Sequence, residues 1–147
     1  MALTANIGSQ LAIKFGTIQT YTAGGAIFKG ATTVLRLATG DDKVYAAIDD
    51  PTDVYNQLVV GFCQEEATVD GDTIRVRLDG RLARQFPSMP ASVIGRLACI
   101  KDDNSVQLYG VATCKVIVGR IREVISSTEV YVDLTDRPAR LATSLID

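Results

Sequence analysis

The chain has 147 residues and a net charge of −2, with 47% hydrophobic and 22% charged residues, which fits one folded domain and excludes wholesale disorder. It contains no histidine and no tryptophan, so Ser-His-Asp catalysis, Cys-His catalysis and histidine-based metal sites are all excluded. An acidic pI near 5.1 argues against a protein whose main task is to neutralise nucleic-acid phosphates.

The first segment, residues 1–25, scatters single apolar residues among glycine, serine, threonine and glutamine. The pattern is too sparse to build a core, yet long enough to lie extended on a neighbour. We therefore predict an N-terminal arm of which residues 1 to about 20 order mainly on a partner, the alternative being an edge strand with a frayed terminus. The arm's apolar anchors are Leu3, Ile7, Leu11 and Ile13. Neither a signal peptide nor a membrane span is expected.

Glycine, aspartate and asparagine turn signals divide the following residues into short β-rich segments. The predicted strands cover residues 32–38, 44–48, 58–65, 73–78, 81–86, 92–100, 106–118, 119–125 and 129–134. One short helical turn is predicted over residues 51–57, because Asp50 is suited to cap it and Pro51 to occupy its first position.

Strict alternation in residues 71–80 and 129–134 marks exposed and buried strand faces. Ile74 and Val76, for example, share one face of their strand because successive side chains point to opposite sides. Many short antiparallel strands predict an all-β fold, a small β-barrel or a sandwich over residues 26–134, followed by a C-terminal tail over residues 135–147.

The sequence Asp79-Gly80 predicts a two-residue hairpin between neighbouring strands. This hairpin would bring together four basic side chains, those of Arg75, Arg77, Arg81 and Arg84. Residues 40–72 carry nine acidic side chains and one basic one, whereas residues 73–101 carry six basic and one acidic. One interpretation is that an acidic face of one copy meets this basic face of the next. The other is that the charges neutralise each other within one fold.

Other chemistry has weaker support in the sequence. A calcium site could use the carboxylates of Asp41, Asp42, Asp49, Asp50 and Asp53, but the twelve-residue calcium loop is absent and turns explain these residues better. The glycines spell no phosphate-binding loop, so no cofactor and no metal are predicted. The three cysteines lack CxxC spacing, so we expect their side chains to be small buried apolar groups and the chain to fold in a reducing compartment. These cysteines are Cys63, Cys99 and Cys114.

Five runs of the chain, in which polar residues, glycines and alternating strands recur, follow one another in an order and at a spacing that resemble a known family. They are Phe28–Val34, Leu58–Cys63, Gly71–Gly80, Val118–Val124 and Val130–Leu134. In these runs, within residues 26–134, the chain resembles the capsid decoration (cement) proteins of tailed bacteriophages. It departs from them in the stretch Leu82–Ile94, which contains Pro87 and Pro90 and is predicted to be an inserted loop.

The resemblance implies a β-barrel or β-tulip-like domain without enzymatic activity. Such a protein is made in the host cytoplasm and binds the outer surface of an icosahedral shell, where it reinforces contacts between major capsid subunits. Homotrimers are common in such families, often with arms that contact neighbours. The alternative function is an OB-like module for single-stranded nucleic acid, with Tyr45, Tyr109 and Tyr131 as stacking residues beside the arginines.

Overall fold

Ten β-strands in two antiparallel five-stranded sheets make up the computed structural model, which describes residues 18–110 and 116–135. In chain order the strands are β1 (Ile18–Thr22), β2 (Thr32–Arg36), β3 (Val44–Ala46), β4 (Gln57–Cys63), β5 (Thr73–Arg77), β6 (Arg81–Gln85), β7 (Leu97–Ile100), β8 (Val106–Leu108), β9 (Ile117–Ser126) and β10 (Glu129–Asp133). No helix occurs among the described residues, so the predicted all-β fold class is confirmed.

The predicted helical turn over residues 51–57 is wrong. Asp50 does accept hydrogen bonds from the backbone N–H groups of Val54 and Tyr55, each at 2.9 Å. Asp53 and Asn56, however, have φ angles of 57° and 52°. A right-handed helix cannot pass through residues in the left-handed region, so the segment remains an Asp-anchored turn.

Neither sheet is closed into a barrel. In the first sheet an isolated bridge joins Ala23, which follows β1, to Val44 of β3. In the second sheet another joins Gln85 of β6 to Ser105, which precedes β8. The two edge strands of each sheet therefore approach each other at one point. These bridges do not extend into ladders. The prediction of a small closed barrel is therefore corrected to two open sheets, whose apolar faces are covered by packing against each other and by loops.

The two sheets have the same topology. Their strand orders are β1-β5-β4-β2-β3 and β6-β10-β9-β7-β8, so every strand of the first sheet has a counterpart five strands later. We call residues 18–78 the first unit and residues 81–134 the second unit. The chain is thus an internal duplication of one five-stranded unit, and equivalent residues can be identified from equivalent hydrogen bonds.

The same turn precedes the second strand of each unit. The N–H groups of Gly30 and Gly95 donate to the carbonyls of Cys63 and Ile121, both at 2.8 Å. The two glycines have φ angles of 88° and 89°, which side chains other than that of glycine rarely permit. The equivalence between the units therefore extends to backbone geometry.

A β-bulge also recurs at equivalent places. Its extra residue is Val60, next to Gly61 on β4, in the first sheet and Val118, next to Gly119 on β9, in the second. A Cβ atom at Gly61 would overlap the carbonyl oxygen of Arg77, and one at Gly119 would overlap that of Asp133. Both positions require glycine because the next strand's backbone passes too close for a side chain.

The larger apolar core joins the two units. Val34, Ala47 and Val59 of the first unit pack into the cluster that contains Ala98, Val118 and other residues of the second. A smaller cluster, which includes Ile27, Ala67 and Ile74, lies within the first unit alone. Burial of each of the larger aliphatic side chains contributes about 1.5–3 kcal/mol, so the shared core holds the sheets together.

Part of the predicted arm belongs to the first sheet. Ile18–Thr22 pairs with Arg77–Thr73 of β5 as an edge strand, and Ala23 is fully buried. The boundary predicted at residue 25 is therefore corrected, because residues 18–25 form part of the folded unit. Leu3, Ile7, Leu11 and Ile13 lie outside the described residues, as does the tail beyond residue 135.

Candidate functional site

The predicted hairpin at Asp79-Gly80 is wrong. Gly80 does adopt a positive φ of 94°, but β5 lies in the first sheet and β6 in the second. β5 already has β1 on one edge and β4 on the other, so it has no edge left for β6. The Asp79-Gly80 turn therefore connects the two units, and the predicted single basic face is not formed.

Three of the four predicted basic residues lie near carboxylates of their own chain. The Arg75 Nε atom is 3.2 Å from Glu65 Oε1. The Arg77 and Arg81 guanidinium groups are each 3.7 Å from a carboxylate, those of Asp79 and Glu123. All three arginine side chains remain partly exposed, so their contact with a partner stays a prediction.

Arg84 is buried, with 5% of its surface exposed, and cannot form an external contact. Its Nε donates to Thr32 Oγ1 at 2.8 Å, its second guanidinium nitrogen donates to the Ala83 carbonyl at 3.0 Å, and the third donates to the Gly30 carbonyl. Thr32 and Gly30 belong to the first unit and Arg84 to the second. The side chain therefore ties the units together.

Electrostatic compensation for this buried charge comes from the loop before β8. Burial lowers the pKa of Arg84 to about 10, while the carboxylates of Asp103 and Asp102 oppose that shift. Arg84 therefore remains charged at neutral pH. The Thr32 N–H donates to the Asp103 carbonyl at 2.8 Å, which fixes this loop against the first unit.

Two of the five candidate calcium carboxylates, those of Asp41 and Asp50, accept hydrogen bonds within local turns. Asp41 accepts hydrogen bonds from the Tyr45 hydroxyl, the Thr39 hydroxyl and the Lys43 N–H. Asp50 holds the turn described above. Among the described residues, no group of three acidic or cysteine side chains is arranged to hold a metal ion.

Asp72 caps a turn in the same acidic region. Its Oδ2 accepts the N–H groups of Thr68 at 2.8 Å and Val69 at 3.1 Å, and also the Thr68 hydroxyl at 3.1 Å. These hydrogen bonds, with that of the Thr68 N–H the largest cause, lower the pKa of Asp72. The ionised carboxylate therefore stabilises the folded chain.

We expect the Asp72→Asn variant to be less stable than the parent chain at pH 7. Because the folded-state pKa lies below the unfolded value of about 3.9, this stabilisation is present above pH 4 and is lost as the pH falls through the folded-state pKa. Urea unfolding of both proteins between pH 7 and pH 2.5 checks this result. A stability difference that stays constant over this range would contradict it.

The cysteine prediction holds for the two thiols that are described. Cys63 and Cys99 are both buried, whereas Cys114 lies outside the described residues. Burial, the largest cause, raises the pKa of Cys63, which keeps it in the unreactive thiol form.

The candidate stacking tyrosines do not form one platform. The Arg36 guanidinium lies 4.2 Å from the ring centroids of both Tyr45 and Tyr55, so it occupies the Tyr45 ring face within the chain. Tyr109 packs against the larger core, while Tyr131 lies on β10. No described feature therefore favours stacking of bases.

A cleft of about 360 Å³ opens on the second unit. Buried Phe86, Val106 and Leu108 form its apolar wall. The exposed cations Arg96 and Lys101 also line it, together with Pro87 and Pro90 of the predicted inserted loop. This combination suits a protein segment with apolar and acidic side chains.

The first unit covers the equivalent place with its own chain. Tyr45 and Gln107 are equivalent, because they pair with Val34 and Cys99 beside the recurring bulges. A Cβ at Gly24 would overlap the Tyr45 ring, so the chain there lies directly on that ring. In the second unit Gln107 instead lines the open cleft.

A strand edge of the second unit is also uncovered. β9 pairs with β7 as far as Arg120. The Ile121 N–H then donates to the carbonyl of Arg96, just before β7, at 2.9 Å. Beyond that point residues 123–126 pair with β10 only, as far as the described residues show. Val124 and Ile125 are both about 40% exposed there. The cleft and this edge together form the candidate binding surface.

The duplication that makes this surface recognisable is not evident from the amino-acid sequence alone. Its signals are the glycine pairs Gly30 and Gly95, and Gly61 and Gly119. The glycines of the first pair are farther apart in the chain than those of the second, because the loops between them differ in length. The sequence therefore shows no constant repeat period. The chain matches no protein-family model, and no curated protein is similar to it in sequence. No helix in the described residues is long and apolar enough to cross a membrane.

Proposed function

We propose that the chain is a structural protein of a phage virion, which binds the outer surface of the assembled icosahedral capsid and reinforces contacts between major capsid subunits. The observation that carries the proposal is the uncovered cleft and strand edge of the second unit, beside a first unit that covers the same places itself. Such a surface fits a role in binding protein segments. The resemblance to capsid decoration proteins supports a capsid as the partner.

The proposed mechanism is the sum of several modest contacts. Each copy binds the shell through a protein interface of ordinary size, and symmetry repeats that contact over the whole particle. Opening the shell then requires the loss of many contacts at once. The copies act as homo-oligomers, with a trimer as the form that the resemblance implies.

We expect the full chain to sediment with assembled capsids of the phage that encodes it, and not with unassembled major capsid protein. Assembly creates sites that span neighbouring subunits, which explains this difference. Co-sedimentation at several salt concentrations tests it, with a single-stranded oligonucleotide as the competing ligand. Salt-sensitive oligonucleotide binding without capsid binding would overturn the proposal and favour the nucleic-acid function.

Removal of residues 1–17 should weaken retention on capsids about tenfold or more, while the melting temperature of the isolated protein barely changes. Each apolar anchor that is buried on a partner contributes about 1.5–3 kcal/mol before ordering costs. The described strands begin at Ile18, so the deletion leaves both sheets intact. Thermal unfolding and capsid retention are compared for the two proteins. Unchanged retention would show that the arm is not a clamp.

A further inference from the structure

The uncovered edge of β9 has a covered counterpart in the first unit. Ala67 lies six residues after Gly61, and Ile125 lies six residues after the equivalent Gly119. Ala67 is 1% exposed, whereas Ile125 is 40% exposed. Counted from these glycines, the sixth residue is buried in the first unit and exposed in the second.

Ile27 provides the cover in the first unit. Its N–H and carbonyl exchange hydrogen bonds of 2.9 and 2.8 Å with Ala67, and its side chain is buried in the apolar cluster. Ile27 lies three residues before Gly30, and the residue three before the equivalent Gly95 is Ser92. Ser92 is exposed and forms no bridge with Ile125. Among residues 18–110 and 116–135, the second unit therefore supplies neither an aliphatic side chain nor a backbone partner at this place.

A second segment of the chain closely matches the covering segment. Residues 26–30 read Ala-Ile-Phe-Lys-Gly, and residues 12–16 read Ala-Ile-Lys-Phe-Gly. The two differ only in the order of phenylalanine and lysine. Ile13 would therefore stand where Ile27 stands, three residues before a glycine.

We propose that residues 12–16 of one copy pair with the β9 edge of a second copy, where Ile13 packs on Ile125. This contact rests on the homo-oligomer of the proposed function and identifies the surface that forms it. Ile13 is five residues from Ile18, a span of at most about 18 Å. Ile18 begins the edge strand of the other sheet, which favours delivery to a neighbouring copy.

The edge admits a short partner only. Register shifts in the β9–β10 pair leave Arg122 and Ile125 as bulged residues of β9. Bulges and a charged residue such as Glu123 limit indiscriminate edge-to-edge pairing. A single bridge, as between Ile27 and Ala67, is what this edge accommodates. Because the donor and acceptor surfaces differ, the contact is head-to-tail, the type that forms a ring where the rotation between copies closes.

A cross-linking experiment tests the pairing directly. Full chains with Ile13→Cys are mixed with differently tagged chains with Ile125→Cys, all in a Cys114→Ser background, and are mildly oxidised. We expect disulfide-linked pairs of unlike chains, and far fewer with the exposed control Val54→Cys in place of Ile125→Cys. Equal linking to Val54→Cys would overturn the proposal. So would a disulfide that closes within single chains of the double variant Ile13→Cys/Ile125→Cys at high dilution.

Self-association without capsids provides the second measurement. We expect Ile13→Ser and Ile125→Ser each to weaken it about tenfold or more by analytical ultracentrifugation. Val124→Ser is the matched control, because Val124 is equally exposed and its counterpart Glu66 is also exposed. A monomeric parent chain, or equal effects of all three substitutions, would overturn the inference. Normal self-association without capsid binding would instead overturn only the proposed function.

Discussion

Alanine at Gly61 should destabilise the folded chain by about 3 kcal/mol or more, and alanine at Gly119 should do the same. In each case the new methyl group would overlap a backbone carbonyl of the neighbouring strand, that of Arg77 or that of Asp133. Backbone held in a sheet cannot move aside as the end of a flexible side chain can. Denaturant unfolding at pH 7 gives the two free-energy differences.

Gly25→Ala is the control for both glycine variants. A Cβ at Gly25 meets no atom within 4 Å, so the substitution should have little effect. If Gly61→Ala and Gly119→Ala are as stable as Gly25→Ala, the close strand approach is wrong at both sites. A large effect at only one site would contradict the equivalence of the two units.

Replacement of Arg84 by methionine is the second substitution with a large expected effect. It removes the hydrogen bonds to Thr32, Gly30 and Ala83 and leaves the buried Thr32 hydroxyl and two part-buried carbonyl oxygens without these donors. An unsatisfied buried polar group costs about 1–3 kcal/mol, so we expect a loss of about 2–4 kcal/mol. Urea unfolding should therefore have a lower midpoint for Arg84→Met than for the parent protein.

Arg75→Met provides the comparison for Arg84→Met. Arg75 carries the same side chain on a strand and has an ion pair with Glu65, but its side chain is 61% exposed. Exposed ion pairs contribute about 0–1 kcal/mol, so this variant should remain close to the parent protein. Equal stability of the two variants would show that Arg84 does not hold the units together.

The two duplicated units differ in how their surfaces are covered by their own chain. In the first unit the chain between Ala23 and Gly30 lies on Tyr45 and forms a bridge with Ala67. In the second unit the equivalent stretch, from Phe86 to Gly95, is two residues longer and includes Pro87 and Pro90. Its path leaves the cleft and the β9 edge uncovered, which is the reason to expect a partner there.

Local features of the fold could be predicted from the sequence. The buried positions of Ile74 and Val76 on β5, and of Val130 and Val132 on β10, follow from alternation alone. The positive φ of Gly80 follows from the Asp-Gly turn signal. These features depend on the dihedral preferences and side-chain directions of a few consecutive residues.

Only the tertiary structure decided which strands pair, where Arg84 lies and which edge stays open. An alternating strand has two similar edges, and its partners depend on which other edges in the chain are already occupied. Thus β6 pairs with β10 and not with β5, and Arg84 becomes a buried link between units although its strand pattern resembles that of Arg75. The sequence by itself determined an all-β chain with alternating strands. The duplication and its uncovered edge depend on contacts between residues far apart in the chain, which local patterns do not encode.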